Sequence, residues 1–400
     1  MQEVVIISAK RTPIGKLGGQ LASLSAVELG TVAAKAAIEA AGIDPTQIDQ
    51  AIFGNVLQAG SGQNVARQIA LKSGMTQSST AMTVNEVCGS GLKAIRLAQS
   101  AIVMGDADIV LVGGTESMSQ APYLNKQMRF GSKFGDQTMI DSISSEGLND
   151  AFTHQPMGIT GENVAAKYGI TREMQDAFAL ASHQKAAQAT QAGWFNEEIV
   201  PVTVQQRKAT LEVQQDEGIR PTTTIEAMAK LRPAFQQDGT VTPANASGIN
   251  DGASAMIVMS KEKAAALGLV YQATLVGYQE VGADPDYMGY TPVDAIQKLL
   301  AKQNQTLADI DLLEINEAFA ASSVAVQNGL KVDPAKVNVA GGAIALGHPI
   351  GASGTRIMTT LMHQLKRTHQ TTGIASLCIG GGLGIAFEIQ LNEAWCNEKA

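Results

Sequence analysis

The segment from Asn85 to Ile95, NEVCGSGLKAI, places one of the chain's three cysteines, Cys88, between an apolar run, AMTVNEV, and glycines that open an amphipathic run at Leu92. A sulfur there lies at a helix N-terminus, where unpaired N–H groups and the helix dipole favour thiolate below the ~8.5 of a free thiol. Such a thiol is suited to nucleophilic attack. Gly89 and Gly91 let a substrate approach the backbone closely, and the N–H of Cys88 can face a developing oxyanion. An isolated cysteine is more often a small buried hydrophobe, so the chemical reading needs partners.

A nucleophile needs a base, and the chain has five histidines. His348 stands in ALGHPIGASG, where glycines on both sides and Pro349 impose an unusual backbone. His154, His183, His363 and His369 have no special setting and are expected at the surface. Cys378, in ASLCIGGG, ends an apolar run and enters three glycines whose freed N–H groups can form a second oxyanion site beside a thiol. Cys396 lies near the terminus and has no such context. Asn316, in EINEAFA, either caps the following helix or holds a catalytic water. The cysteine spacings exclude a zinc site, so no metal is expected. Gly342 to Gly347 has P-loop glycine spacing, but His348-Pro349 replace the required Lys-Ser/Thr. Neither GxSxG nor HExxH occurs, and CIGGGLGIAF lacks dinucleotide-binding spacing.

The scaffold that must position these residues is repeated at the two ends of the chain. An early unit runs from VVIISA through Ser25-Ala26-Val27-Glu28, a capping-box start, into LGTVAAKAAIEAAG and IDQAIFGNV. A later one runs from ATLVGYQ through Thr291-Pro292-Val293-Asp294, read as cap, proline and acid, into AIQKLLAK and IDLLEINEA. Each continues as turn, helix and buried strand. Leu92, Ile95, Ala98 and Ile102 form one helical face, and Ile357, Leu361 and Leu365 another. A duplicated βαβ-type, mostly parallel α/β core follows, and its symmetry brings the His348 turn to the Cys88 turn. Between the repeats, roughly residues 119–249 contain no cysteine and six of the nine phenylalanines. This segment is expected to be an inserted, mostly helical lobe, with EGIRPTTT as an irregular ligand-binding surface.

Composition narrows the function classes. At 400 residues, 45% of them hydrophobic, the chain can bury two or three domains' worth of core. Its net charge of −8 supplies no general field for nucleic acid or anionic lipid. No run approaches the ~20 apolar residues of a membrane span, and MQEVVIISAKRTPIG lacks the features of a signal peptide, so a cytoplasmic protein is expected.

NEVCGSGLKAI, GGTESMSQAPY, NASGINDGASA, NEAFA, GGAIALGHPIGASG and CIGGGLGIAFE resemble the signatures of the thiolase family, in order and over essentially the whole chain. The resemblance implies a duplicated βαβαβαββ core stacked in five α/β layers with an inserted loop domain. The divisions are residues 1–118 plus 250–269, the insert 119–249, and residues 270–400. It implies that Cys88 accepts the acyl group from acyl-CoA, that His348 activates it, and that Cys378 moves a proton to and from the acetyl-CoA methyl. Asn316 would orient a water that forms one oxyanion hole with His348, and the backbone at Cys88 and Gly380 would form the other. Arg220 would meet the phosphate or adenine of coenzyme A, while Leu148, Met157, Phe235, Ser247, Met288, Ala318 and Phe319 would line a pantetheine tunnel. The implied partners are acetyl-CoA, acetoacetyl-CoA and CoA, as substrates rather than tightly bound cofactors, in a homodimer or homotetramer.

The implied reaction is the reversible Claisen condensation of two acetyl-CoA to acetoacetyl-CoA. One departure bears on chain length: short-chain members commonly read His-Met-Gly where this chain has Pro156-Met157-Gly158, leaving longer 3-ketoacyl-CoA thiolysis as the alternative. A related ketoacyl synthase fits less well, because Cys378 stands where such enzymes typically use a second histidine. A non-catalytic acyl-CoA-binding protein of the same fold is opposed by the intact Cys88, His348, Asn316 and Cys378.

Overall fold

The apolar run Val4–Arg11 forms strand β1, and Ser25 then starts helix α1 (Ala26–Ala41) by the expected capping box, with the Glu28 side chain returning to the Ser25 N–H. In this computed structural model, which describes residues 2–207 and 209–397, the chain continues through β2 (Gln50–Gly54), α2 (Val65–Lys72), β3 (Thr80–Val84), α3 (Ser90–Met104) and β4 (Ile109–Ser117). An intervening segment contains α4 (Gly158–Tyr168) and α5 (Arg172–Gln191). The chain then returns to the sheet as β5 (Asn250–Ser260). The second half comprises β6 (Ala273–Gly282), α6 (Thr291–Gln303), β7 (Leu312–Ile315), α7 (Ala320–Leu330), α8 (Ser353–Arg367), β8 (Thr372–Ile379) and β9 (Leu383–Leu391).

The first half has strand order β3-β2-β4-β5-β1 and the second β7-β8-β9-β6, the two joined antiparallel where Val5 faces Thr274 and Ile6 faces Ala273. The duplication is therefore real but one strand short, and most of its strand pairings are antiparallel rather than parallel as expected. The counterpart of β3 is reduced to a single parallel bridge between Leu313 and Val337. The buried clusters define five layers. Helices α1 and α2 cover one face of the first half through Leu29, Ala33 and Ile69. Helices α3 and α8 form the middle layer, packing Leu92, Ile95, Ile357 and Leu361 against strands of both halves. Helices α6 and α7 cover the far side through Ile296, Leu299 and Val326.

The middle helices touch backbone to backbone at their N-termini. A Cβ on Gly91 would lie 2.5 Å from the Thr355 nitrogen, and one on Gly354 would lie 2.2 Å from that of Leu92. The positive ends of two helix dipoles thus meet at the centre of the molecule.

Several expectations need correction. Thr291 is the first residue of α6 rather than its cap, because its single hydroxyl proton is shared between the carbonyls of Met288 (2.7 Å) and Leu383 (2.8 Å). Helix α3 begins at Ser90, not Leu92. The intervening segment is not mostly helical: besides α4, α5 and the single turn Ile225–Ala229 it has two short hairpins and long irregular stretches. Buried polar side chains stitch those stretches, Glu162 accepting from the N–H groups of Thr240 and Val241, and Asn245 bonding Asp176. His183 and His363 are buried, not superficial. Buried Arg11 of β1 pairs with Glu198 (2.6 Å) and Asp216 (2.7 Å), anchoring the intervening segment to the sheet.

Candidate active site

Cys88 sits in the turn between β3 and α3. The preceding Val87 has φ +47, a left-handed conformation costly for a β-branched residue. Local bonds hold it there: Asn85 Oδ1 accepts from the Val87 N–H (3.0 Å), and Ser90 Oγ accepts from the Glu86 N–H (2.8 Å) while donating to the Val87 carbonyl (2.6 Å). The Cys88 thiol faces a cavity, and the N–H groups of Gly380 and of Cys88 itself point at its sulfur. The expected low thiol pKa is not found. Burial pushes Cys88 up to about 11, those two N–H groups offset only part of the shift, and the nearby Glu116 carboxylate adds to it. A helix N-terminus favours thiolate, but desolvation outweighs it.

His348 lies across the same cavity, its N–H held by Asn250 Oδ1 at 2.9 Å. Its Nδ1 is 2.5 Å from Ser353 Oγ, and the Ser353 hydroxyl donates to the Pro349 carbonyl at 2.9 Å. Having spent its only proton, Ser353 must accept from Nδ1–H, an assignment made from the bonding partners. Nε2 then carries the lone pair. It faces the Asn316 Nδ2 at 3.4 Å. Burial, with a smaller contribution from Arg356, holds the imidazole down to about 3. At neutral pH the site therefore contains a neutral thiol and a neutral imidazole of one tautomer, ready to accept a proton rather than already paired as ions.

Asn316 directly follows β7 without capping α7, whose N-cap is Phe319, so the capping alternative is rejected. Its Oδ1 is buried with no partner in the protein, as befits an acceptor awaiting a ligand or water. Cys378 ends β8, buried against Met288 and Phe319. Burial pushes it up to about 12, and Cys88 alongside contributes. Gly380 follows, with Gly381 (φ +90) and Gly382 (φ +87) turning the chain behind it.

A cavity of about 570 Å³ opens onto this cluster. Leu148 and Met157 form one wall, Phe235 and Phe319 meet edge to face at 6.4 Å, and Ser247, Met288 and Ala318 complete the lining. Arg220 lies on the cavity too, its backbone N–H donating to His183 Nδ1 at 3.2 Å. Ten of the thirteen residues singled out from sequence thus line one cavity, while Cys378, Asn316 and Gly380 lie behind its inner end. Pro156 is part of the wall. Among the described residues there is no cluster of His, Cys, Asp or Glu able to hold a metal ion, and no helix is long and apolar enough to cross a membrane.

Residues 4–262 match the thiolase N-terminal domain and residues 269–391 the thiolase C-terminal domain. This chain belongs to the thiolase family. It is 53% identical over 391 residues to an acetyl-CoA acetyltransferase of Cupriavidus necator, covering 98% of this chain and 100% of that protein. It is 53% identical to a probable acetyl-CoA acyltransferase of Staphylococcus aureus, covering 96% and 98%. The crystal structure of Bacillus anthracis acetyl-CoA acetyltransferase superimposes with a TM-score of 0.96 at 43% identity, covering 98% of this chain and 99% of that one. Human mitochondrial 3-ketoacyl-CoA thiolase in complex with CoA gives a TM-score of 0.94 at 45% identity, covering 98% of each.

In this thiolase, sequence reasoning missed two residues that shape the site. Ser353 fixes the imidazole tautomer, and only the SG pair that GASGT shares with CGSGL hinted at a turn of matching design. Glu116, in GGTESMS, is buried and accepts from the N–H groups of Val56, Leu57 and Gly351 and from Asn55 Nδ2. All four partners are donors, so its carboxylate ties the His348 loop of one half to the first half beneath Cys88.

Proposed function

We propose that this chain is an acetyl-CoA C-acetyltransferase catalysing the reversible condensation of two acetyl-CoA to acetoacetyl-CoA and CoA. The observation that carries this reading is the meeting of two neutral thiols and a neutral imidazole of fixed tautomer at the inner end of one apolar cavity. As the Cys88 sulfur attacks the thioester carbonyl, its proton passes to His348 Nε2, and the N–H groups of Cys88 and Gly380 receive the oxyanion. The C–S bond to CoA breaks, and Cys378 gives the departing sulfur its proton. Cys378 thiolate then removes a proton from the methyl of the second acetyl-CoA. Imidazolium at His348, with Asn316 and its oriented water, stabilises the enolate oxygen. The enolate carbon attacks the S-acetyl carbonyl, and the Cys88 sulfur leaves and recovers its proton from His348. Every group ends in its starting state.

Within this proposal, residues 119–249 act as the CoA-holding domain inserted into a core formed by 1–118 with 250–269 and by 270–400. Arg220 meets the nucleotide end, and Leu148, Met157, Phe235, Ser247, Met288, Ala318 and Phe319 contact pantetheine. The protein works in the cytoplasm as a symmetric homodimer or homotetramer. A second reading, thiolysis of longer 3-ketoacyl-CoA, is favoured by Pro156, which replaces an imidazole contact in the cavity wall. The deciding measurement is CoA-dependent thiolysis, comparing kcat/KM for acetoacetyl-CoA with that for a medium-chain 3-ketoacyl-CoA. Preference for acetoacetyl-CoA is expected; preference for the longer chain would establish the second reading.

A further inference from the structure

The strained turn that presents Cys88 has a long-range anchor that the acyl-transfer steps do not use. The Glu86 side chain leaves this turn and reaches Lys93 of α3, 3.2 Å away, and the carboxyl of Glu280 on β6 faces it across the same ammonium. Glu280 accepts in turn from Lys93 (2.7 Å) and from the Tyr278 hydroxyl (2.7 Å). Arg96 of α3 lies over the Tyr278 ring at 5.1 Å. The titratable and charged groups around Glu86 are thus Lys93 and Arg96 of α3, Tyr278 and Glu280 of β6, and Cys88 of its own turn. The packing is tight, since a Cβ on Gly89 would lie 2.3 Å from Ile379 and 3.1 Å from Glu86 Oε2. That Oε2 is buried, and no donor of the protein satisfies it. Two facing carboxylates share the one ammonium of Lys93, and one of them has a buried oxygen with no donor, an arrangement relieved when a single proton is held between them.

We propose that Glu86 is a positioning residue for the nucleophile: it shares one proton with Glu280, clamps the Cys88 turn of the first half onto β6 of the second, and releases the turn when that proton is lost. The proton resides on Glu86. Burial and then the facing Glu280 push Glu86 up to about 7, whereas Glu280, with Glu86 facing it and Lys93 and Tyr278 donating to it, is held low despite burial. Below neutrality the bond is closed. Above it, two carboxylates compete for one ammonium, Glu86 Oε2 is charged without a donor, and Val87 can relax from its left-handed conformation. Relaxation exposes the sulfur but moves the Cys88 N–H away from its oxyanion position. Access to the thiol and acyl transfer therefore change in opposite directions through one ionisation.

The inference rests on the reading of Cys88 as acyl acceptor, but its test does not need coenzyme A chemistry. The alkylation rate of Cys88 by iodoacetamide, followed by mass spectrometry of its peptide, is measured from pH 5.5 to 9 in the wild type, Glu86→Gln and Glu280→Gln. Because only thiolate reacts, a thiol titrating far above this range gives about a tenfold rise per pH unit. The expected wild-type profile climbs more steeply than this between pH 6 and 8, and both variants follow the plain rise: Glu86→Gln has no proton to lose there, and in Glu280→Gln the new amide N–H can donate to ionised Glu86 and keep the turn anchored. Glu280→Gln changes the less buried partner, so the test survives if Glu86→Gln fails to fold. A wild-type profile with no extra step, or a step that persists in either folded variant, would overturn the clamp. Acetoacetyl-CoA thiolysis on the same samples is expected to decline through the same step in the wild type alone. Absence of any turnover would count against the proposed function while leaving the alkylation result to judge the clamp.

Discussion

Ser353→Ala isolates the contribution of imidazole orientation. In the folded protein Ser353 Oγ lies 2.5 Å from His348 Nδ1 and is committed as an acceptor by its own donation to Pro349. At rest this is a bond from a neutral N–H. When Nε2 takes the Cys88 proton the donor becomes an imidazolium, and hydrogen bonds to charged groups contribute about 1.5–3 kcal/mol against roughly 1 for neutral pairs. Removing the acceptor costs the resting enzyme the neutral bond as well, so the barrier rises by the difference, about 0.5–2 kcal/mol, which at 1.36 kcal/mol per decade is a loss of about 2- to 30-fold. Because the charge exists only during reaction, the loss should appear in kcat and in kcat/KM, with KM little changed. The alanine also frees the ring to place its proton on Nε2, the atom that must accept. The assay is steady-state thiolysis of acetoacetyl-CoA, with the yield of S-acetyl enzyme measured separately by rapid quench. An unchanged kcat, or a decline confined to KM, would refute the tautomer argument.

Cys88→Ala should abolish acyl-enzyme formation, whereas Cys378→Ala should still acquire an acetyl group, detected as a mass increase, and fail to form the carbon–carbon bond. Condensation at the wild-type rate in Cys378→Ala would remove the second thiol from the mechanism. Gly354→Ala puts a methyl 2.2 Å from the Leu92 nitrogen, a backbone atom that cannot swing away. The cost should reach or exceed the ~3 kcal/mol upper end of ordinary overpacking, and an unchanged Tm would contradict the described helix contact. Burial holds His183 down to about 4 from an ordinary 6.5. The unfolded chain therefore binds a proton that the native state refuses as pH falls from 6.5 towards 4, and stability declines across that window. His183→Gln should flatten the Tm profile there, and parallel profiles would show that this histidine does not contribute.

The elements and motifs that act locally were legible in the sequence. Ser25 and Glu28 announce a capping box because both partners lie within one turn, and the chain folds as they specify. CGSG and GHPIGASG were recognisable as facing turns because the repeat dictates where each must lie. Features decided by the whole molecule were not legible. The thiol of Cys88 was expected low from its helix terminus, but burial by both halves reverses the sign. His363 reads as a surface residue of an amphipathic helix, yet α8 is sandwiched between two halves and has no outward face over most of its length. Thr291 has the sequence of a cap, but two carbonyls, one of them 92 residues away, claim its hydroxyl. Glu116 declares its role only through bonds that cross the chain, whereas Ser353 bonds Pro349 and His348, four and five residues away, through a turn whose shape the sequence does not spell out.

The high pKa of Cys88 also determines how this protein survives between turnovers. Peroxides and adventitious electrophiles consume thiolates, not thiols. With burial pushing the thiol well above the ordinary cysteine range, a far smaller fraction is ionised at pH 7 than in a free cysteine, and exposure to such damage falls with it. Reactivity then depends on a thioester arriving in register with His348 and the two N–H groups. Selectivity in this enzyme is thus set by when the sulfur becomes a nucleophile as much as by what the cavity admits.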